Sequence, residues 1–283
     1  MRKLLYIFLF LTIFVSANSI DKAIQTQKED NVSKSIMLHN LAAKQGNIDA
    51  LVRLGVIYKD GKLVKKDYKK SFNYFLRASA KGDARAKNYL GVMYLNGFGV
   101  EQNVLKAIKY FLDAKDKGSI EAINNLAYIY ANGIGVRQDY AKAIQYYKES
   151  AKKGNVAAMY NLALLIEEGK GTKKDEVLAA KIYQMAADKN HTLAEANLAI
   201  MYLEGRGVKQ DVKRALELLK SSAKSGNVSA LNTLGYIFAT GKGVDEDQKI
   251  AYRFWKKVEE LGSSSAKKNI EMLCSDYKEI CSK

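Results

Sequence analysis

Several serine residues in this 283-residue chain are followed three positions later by a lysine, a spacing that acyl-transferring enzymes use. On a helix this spacing places an amine one turn from the hydroxyl, as in the nucleophilic site of serine β-lactamases. Those enzymes also need S-D-N and K-T-G motifs to hold the substrate, and neither motif occurs in the sequence. We therefore predict no catalytic serine. The pairs include Ser150 with Lys153, Ser221 with Lys224, Ser264 with Lys267, and Ser275 with Lys278.

Metal and nucleotide cofactors are not indicated either. His39 and His191 are the only histidines, and neither has zinc-ligand spacing to a cysteine. His191 stands at a register otherwise held by small polar residues, which is typical of a position that caps a helix. The G-x-G sequences Gly97–Gly99 and Gly133–Gly135 follow predicted helices, whereas the dinucleotide-binding motif follows a strand. The sequence therefore predicts no cofactor.

The remaining candidate for a binding site is a polar column that recurs every 36 residues. It contains Asn125, Asn161, Asn197 and Asn269, with Arg53, Tyr89 and Thr233 at the same register. An amide offers both a donor and an acceptor, so a row of amides along a groove can pair with the backbone of an extended peptide. Alternatively, each asparagine holds the neighbouring repeat in place. The sequence leaves both roles open.

The repeat that carries this column extends through most of the chain. An alanine recurs every 36 residues, with a glycine four positions before it in all but one repeat and a leucine four positions after it in all but the last. A fixed period of 20 to 50 residues is typical of a solenoid, in which each unit buries its apolar face against its neighbours. We therefore predict an all-α, α/α solenoid of helix-turn-helix units. The alanines are Ala50, Ala86, Ala122, Ala158, Ala194, Ala230 and Ala266.

Each unit reads as two helices, which we call helix A and helix B. In residues 118–153, apolar residues at helical spacing predict helix A, which ends at Gly133 because a glycine can take the left-handed conformation. Asp139 is expected to cap helix B. Small residues on helix A face aromatic residues on helix B, such as Tyr147, which predicts close interdigitation in the core.

The repeat register also predicts the domain organisation. Residues 31–45 align with helix B and form an N-terminal capping helix. Residues 262–283 form a C-terminal capping half-repeat that contains the cysteine pair. The six complete repeats between them are 46–81, 82–117, 118–153, 154–189, 190–225 and 226–261.

The first residues predict export. A basic start, an apolar run over 4–15 and small residues at Val15 and Ala17 are typical of a signal peptide cleaved near Ala17, with a polar leader at 18–30. We expect a periplasmic or secreted bacterial protein without a stable membrane span after cleavage. The net charge is +16, or +14 without Arg2 and Lys3, so an anionic envelope polymer is a possible partner. Because the protein is expected to be exported, we predict no nucleic acid partner.

Export also exposes Cys274 and Cys281 to oxidising conditions. Seven residues of continuous helix would separate their α-carbons by about 10 Å, beyond the limit of roughly 7 Å for a disulfide. Cys281 falls where other repeats have the interhelix loop, so a chain reversal near Tyr277 would bring the cysteines together. We predict a disulfide that fastens the C-terminal cap.

The segment "AKNYLGVMYLNGFGV", followed by "AIKYF", resembles the Sel-one-like repeat family, a relative of the tetratricopeptide repeat. The resemblance covers residues 31–283 and implies a right-handed α/α superhelix that scaffolds protein assemblies, often in the bacterial envelope. Departures from the pattern are Leu63, Ile166, Thr172 and Asn190.

Two functions follow from this resemblance. The first is an exported, non-catalytic scaffold that binds a protein or peptide of the cell envelope through its concave face, along the asparagine column. The second is a weak penicillin-binding or β-lactamase protein, because one exported, cysteine-rich subgroup, the Hcp group, is described in this way. Members of that subgroup have a cysteine pair in each repeat, whereas this chain has a single pair.

Overall fold

The computed structural model describes residues 32–281. The predicted signal peptide (1–17) and polar leader (18–30) lie outside these residues. Within the described range every regular element is a helix, and consecutive helices of the same compact unit pack against each other, which confirms the α/α solenoid. None of these helices has both the length and the apolar character needed to span a bilayer. The chain divides into two compact units, Met1–Gln138 and Asp139–Lys283.

The first unit contains helices α1 to α6, and the second contains α7 to α15. The even-numbered helices α2 to α14 are A helices, and the odd-numbered helices α1 to α13 are B helices. In the first unit the bounds are α1 Val32–Lys44, α2 Ile48–Asp60, α3 Tyr68–Ala80, α4 Ala84–Asn96, α5 Val104–Asp116 and α6 Ile120–Asn132. In the second they are α7 Tyr140–Lys152, α8 Val156–Glu168, α9 Glu176–Ala187, α10 Thr192–Glu204, α11 Val212–Lys224, α12 Val228–Thr240, α13 Gln248–Glu260, α14 Lys267–Asp276 and α15 Lys278–Cys281.

Side-chain caps set these bounds. The Asp139 carboxylate accepts from the backbone N–H of Lys142 at 2.9 Å, and Gly133 ends α6 with φ 64°, both as predicted. His191 caps α10 by accepting from the backbone N–H of Ala194 at 3.3 Å. Asn190 takes φ 60° in place of the usual glycine, a conformation that asparagine tolerates better than most residues. Local chemistry therefore defines each helix pair.

The core of each pair is a small residue on helix A beneath a large one on helix B. Phe111 is fully buried, and a β-carbon added to Gly91 would lie 2.6 Å from its ring. Gly55 and Gly235 face Phe75 and Trp255 in the same way. Tyr147 and Tyr183, also buried, occupy the same register of helix B in repeats that have alanine on helix A. The predicted interdigitation is therefore present.

The C-terminal cap turns back on itself. Helix α14 ends at Asp276, Tyr277 leaves the helical conformation, and α15 continues the chain to Cys281. This bend brings the α-carbons of Cys274 and Cys281 to 5.7 Å, and their sulfurs are bonded. The predicted pair is thus at disulfide distance.

Replacing Gly91 with alanine should destabilise the protein by about 1 kcal/mol. Alanine improves helix propensity, but the buried ring of Phe111 has to move, and overpacking costs more than the propensity gains. Urea unfolding measures the difference. The double change Gly91→Ala with Phe111→Leu should recover stability, because the chain itself pairs Ala199 with Leu219 at these registers. A fully stable single variant would contradict this packing.

Stability should fall as the pH drops from 7 towards 5.5. His39 occupies the aromatic register of helix B, and burial lowers its pKa below the ordinary value of 6.5. The unfolded chain then binds a proton that the folded chain does not, so stability is lost as the pH falls through about 6.5. Burial lowers the pKa of His191 as well.

A series of urea titrations at different pH values checks this prediction. In the His39→Phe variant the free energy of unfolding should depend less on pH. The remaining, smaller dependence should be due to His191. An unchanged slope in the variant would show that His39 does not contribute.

Candidate functional site

The asparagine column lies on the A helices, half-buried beside the core leucines. In the first unit, the Asn125 amide on α6 donates to the side-chain oxygen of Asn88 on α4 at 2.9 Å. The two residues belong to successive repeats. Asn125 therefore ties neighbouring A helices together, while its own amide oxygen remains available as an acceptor.

In the second unit, Asn197 belongs to a larger polar network. Its amide donates to the Tyr183 hydroxyl at 3.1 Å, and that hydroxyl donates to the Glu167 carboxylate at 2.8 Å. Arg206 donates to the other Glu167 oxygen at 2.8 Å and to Glu204 at 2.6 Å. Burial raises the pKa of the Tyr183 phenol, so its hydroxyl stays protonated as a donor. The network joins α8, α9 and α10.

Tyr160 lies next to this network. Its ring stacks on His191 at 4.9 Å between centroids and lies 5.9 Å from Tyr183. Burial raises the pKa of the Tyr160 phenol, and a hydrogen bond with Asn197 acts in the opposite direction. Tyr160 on α8 thus packs directly against the first turn of α10, the next A helix.

The other predicted site residues differ in environment. Asn161 and Asn269 are half-buried, and neither side chain forms a hydrogen bond within residues 32–281. Arg53 is exposed, and Tyr89 stacks on Phe75 at 4.5 Å. The column is therefore divided: Asn125 and Asn197 form hydrogen bonds between helices, whereas the amides of Asn161 and Asn269 have no hydrogen-bond partner among the described residues.

A second amide column was missed in the sequence. It stands one residue earlier and contains Asn88, Asn124 and Asn232, whose 36-residue register was the available signal. The Asn232 amide donates to Ser265 at 2.7 Å. The side-chain oxygens of Asn124 and Asn232 are buried without a hydrogen-bond partner among the described residues. These amides therefore have unused acceptor capacity.

The A helices also present an apolar row to solvent, which we call the outer row. It stands three residues after the asparagine column, at the margin of the packed face, and Val56 also packs against the core. Its members range from half-buried to exposed, and Tyr236 is 54% exposed. In the first unit the outer row consists of Val56, Val92 and Tyr128, and in the second of Leu164, Ile200, Tyr236 and Met272.

Charge is divided between the two kinds of helix. The A helices α6, α8, α10 and α12 contain no lysine or arginine. The B helices α7, α11 and α13 each contain three or four. The basic excess of the chain is therefore absent from the central A helices, which offer amides, apolar side chains and a few carboxylates instead.

A groove of about 680 Å³ opens in the second unit beside the α8–α9 loop. Its apolar lining includes Ile144, Ile166 and Leu178, and lysines such as Lys173 stand at its edge. Thr172 lines it at the register where the five other repeats have valine. The groove thus accompanies the departure of this loop from the repeat pattern.

The serine-lysine pairs do not share an environment. Ser150 is buried in α7, and Ser221 donates to the Glu195 carboxylate at 2.7 Å. Ser264 and Ser275 are exposed. Within residues 32–281, no group of three or more His, Cys, Asp or Glu side chains is arranged to hold a metal ion.

The paired helices, glycine ends and aspartate caps define an α/α repeat protein of the tetratricopeptide-like class. The Sel1 repeat model matches seven successive segments: 26–47, 48–83, 84–119, 120–155, 156–191, 192–227 and 228–263. The chain belongs to the Sel1 repeat family. Comparison with curated proteins gave no significant match.

Solved structures support this assignment. A Sel1 repeat protein from Oxalobacter formigenes is 32% identical with a TM-score of 0.81, and the alignment covers 86% of this chain and 99% of that one. A protective antigen of uropathogenic Escherichia coli strains, which displays an SLR fold, is 28% identical with a TM-score of 0.77. That alignment covers 91% of this chain but 56% of the antigen, so the chain spans little more than half of it.

Tyr183→Phe should lower the free energy of unfolding by about 1 to 3 kcal/mol, because it leaves the Asn197 amide and the Glu167 carboxylate without the hydroxyl that they share. Urea unfolding measures the loss. Asn161→Ala is the matched control, since it removes an amide of the same column that forms no hydrogen bond with the described residues, and should change the free energy of unfolding by less than about 0.5 kcal/mol. Equal effects of the two changes would argue against the proposed division of the column.

Proposed function

We propose that this protein is an exported, non-catalytic scaffold that binds a protein or peptide partner of the cell envelope through the A helices. The observation that carries the proposal is the outer row, which places an apolar side chain at the surface of each A helix. In a solenoid these positions repeat once per unit and form an extended surface. Interfaces are typically centred on such aromatic and apolar side chains with a polar rim.

The asparagine column supplies polar contacts beside that row. Asn161 has an amide with no partner inside the described protein, and Asn125 and Asn197 retain acceptor oxygens. An extended partner can therefore bury apolar side chains on the outer row while its backbone pairs with these amides. Membership of the Sel1 repeat family supports the scaffold role, because such repeats commonly mediate protein interactions.

Export rests on the N-terminal sequence. A basic start followed by an apolar run is typical of a signal peptide, and it agrees with an oxidising setting for the Cys274–Cys281 disulfide. Sequencing the N-terminus of protein isolated from the envelope fraction tests this part of the proposal. A terminus at Asn18 is expected, and an intact Met1 in a cytoplasmic fraction would contradict it.

Binding is tested by placing a cation on α8, one of the A helices that contain no lysine or arginine. Immobilised protein carrying Asn161→Lys should retain at least tenfold less of a partner captured from the envelope fraction. Gln145→Lys adds the same charge to the exposed side of helix B in α7 and should have no effect. Both variants should unfold at the same temperature as the parent.

Two further measurements separate the alternatives. Retention that disappears in 0.5 M salt for all variants alike would indicate an anionic polymer bound to the basic B helices, because salt screens exposed charges. Turnover of a chromogenic cephalosporin that one serine substitution abolishes would instead support a β-lactamase.

A further inference from the structure

The outer row of the second unit has a regular geometry. Leu164, Ile200, Tyr236 and Met272 stand at the same register of four successive A helices, 36 residues apart. Leu164 and Ile200 are half-buried, whereas Tyr236 and Met272 are 54% and 59% exposed. Each helix therefore contributes one apolar side chain, and polar residues precede and follow it by one turn.

The spacing of the row is set by helix packing. The contact between Tyr160 on α8 and His191 at the start of α10 shows that these A helices lie side by side. Packed helices lie about 8–10 Å apart. Equivalent side chains on neighbouring A helices are thus separated by about that distance.

An extended peptide matches this spacing at every third residue. A polyproline II chain rises about 3.1 Å per residue and has three residues per turn, so residues three apart point in one direction and lie about 9 Å apart. In a β-strand, side chains on one face recur every second residue, at about 6.6 Å, which does not match the row. Period three therefore fits the A helices better than period two.

The charged residues on and beside these A helices restrict the charge that a bound segment can carry. Helices α8, α10 and α12 contain no lysine or arginine. Helix α8 has the carboxylates Glu167 and Glu168 near its C-terminal end, and α10 has Glu204. Lys170 and Arg206 in the adjacent loops pair with these carboxylates, which leaves the helices themselves without a free cation among the described residues. An acidic segment that crosses Leu164, Ile200 and Tyr236 would find no lysine or arginine on these three helices, whereas a neutral segment needs none.

We propose that the outer row of the second unit binds an extended, polyproline II-like segment with an apolar side chain at every third residue and no acidic residues between them. The inference rests on the proposed function, since it specifies the partner of the same surface. Apolar side chains of the segment contact Leu164, Ile200 and Tyr236 in succession. Its backbone polar groups face the open amide of Asn161 and the acceptor oxygen of Asn197.

Calorimetric titration with synthetic peptides tests this proposal on the chain from residue 18. The probe is six repeats of the triplet leucine-proline-glutamine, in 0.3 M salt to suppress attraction to the basic B helices. A peptide of the same composition with its leucines in adjacent pairs should bind at least tenfold more weakly. Replacing every glutamine of the peptide with glutamate should weaken binding at least tenfold. Replacing every glutamine with lysine should not weaken binding.

Variants of the protein locate the site. Ile200→Ser with Tyr236→Ser should weaken binding of the period-three peptide at least tenfold. Met185→Ser is the matched control, because Met185 is an exposed apolar residue of helix B in the same unit, at 53% exposure, and it should leave binding unchanged. Circular dichroism and melting temperature show that each variant is folded.

Three outcomes would overturn the inference. They are equal affinity for the paired-leucine peptide, equal affinity for the glutamate peptide, and binding that survives loss of the outer row. A sedimentation coefficient of the free protein that falls in the Tyr236→Ser variant, with no peptide binding, would assign the row to self-association instead. If the envelope partner is still captured by the Ile200→Ser, Tyr236→Ser protein but lost with Asn161→Lys, the scaffold function stands and only the inference fails.

Discussion

The close approach of helix A to helix B is the constraint on which the other features of each repeat depend. A residue no larger than alanine on helix A lies beneath a large side chain of helix B, and at Gly55, Gly91 and Gly235 even a β-carbon would overlap the ring. This contact fixes the rotation of helix A about its own axis. Once the small residue faces inward, the asparagine column must lie half-buried at the side of the helix, and the outer row must lie at the margin of the packed face, where its members are half-buried or exposed.

The same constraint explains why the fold could be predicted from the sequence. Helix bounds are set by local interactions, such as the Asp139 cap and the left-handed Gly133, whose chemistry is visible in single residues. Burial follows the helical period, so core residues such as Phe111 and Leu126 could be predicted from the spacing of apolar residues. The disulfide required only that the helix end between its two cysteines, as it does at Asp276.

The roles of the asparagines could not be predicted, because they depend on residues in other columns. Asn125 has a partner since Asn88 stands one register earlier in the preceding repeat, and Asn197 has one since Tyr183 belongs to helix B. A column of identical residues can thus have different functions in successive repeats. The outer row was overlooked for a related reason: a helical pattern shows which residues are apolar, but residues at the margin of the stripe can lie inside or outside the contact.

The position of the disulfide has a further consequence. In a linear array each repeat is supported only by its neighbours, so the terminal units have support on one side and open first. The bond between Cys274 and Cys281 closes the last turns of the chain into a covalent ring that remains compact even when its noncovalent contacts open. Helix α14 then remains a template on which α13 can repack. The covalent ring would keep this segment less accessible to proteases, and that protection would last only in oxidising surroundings.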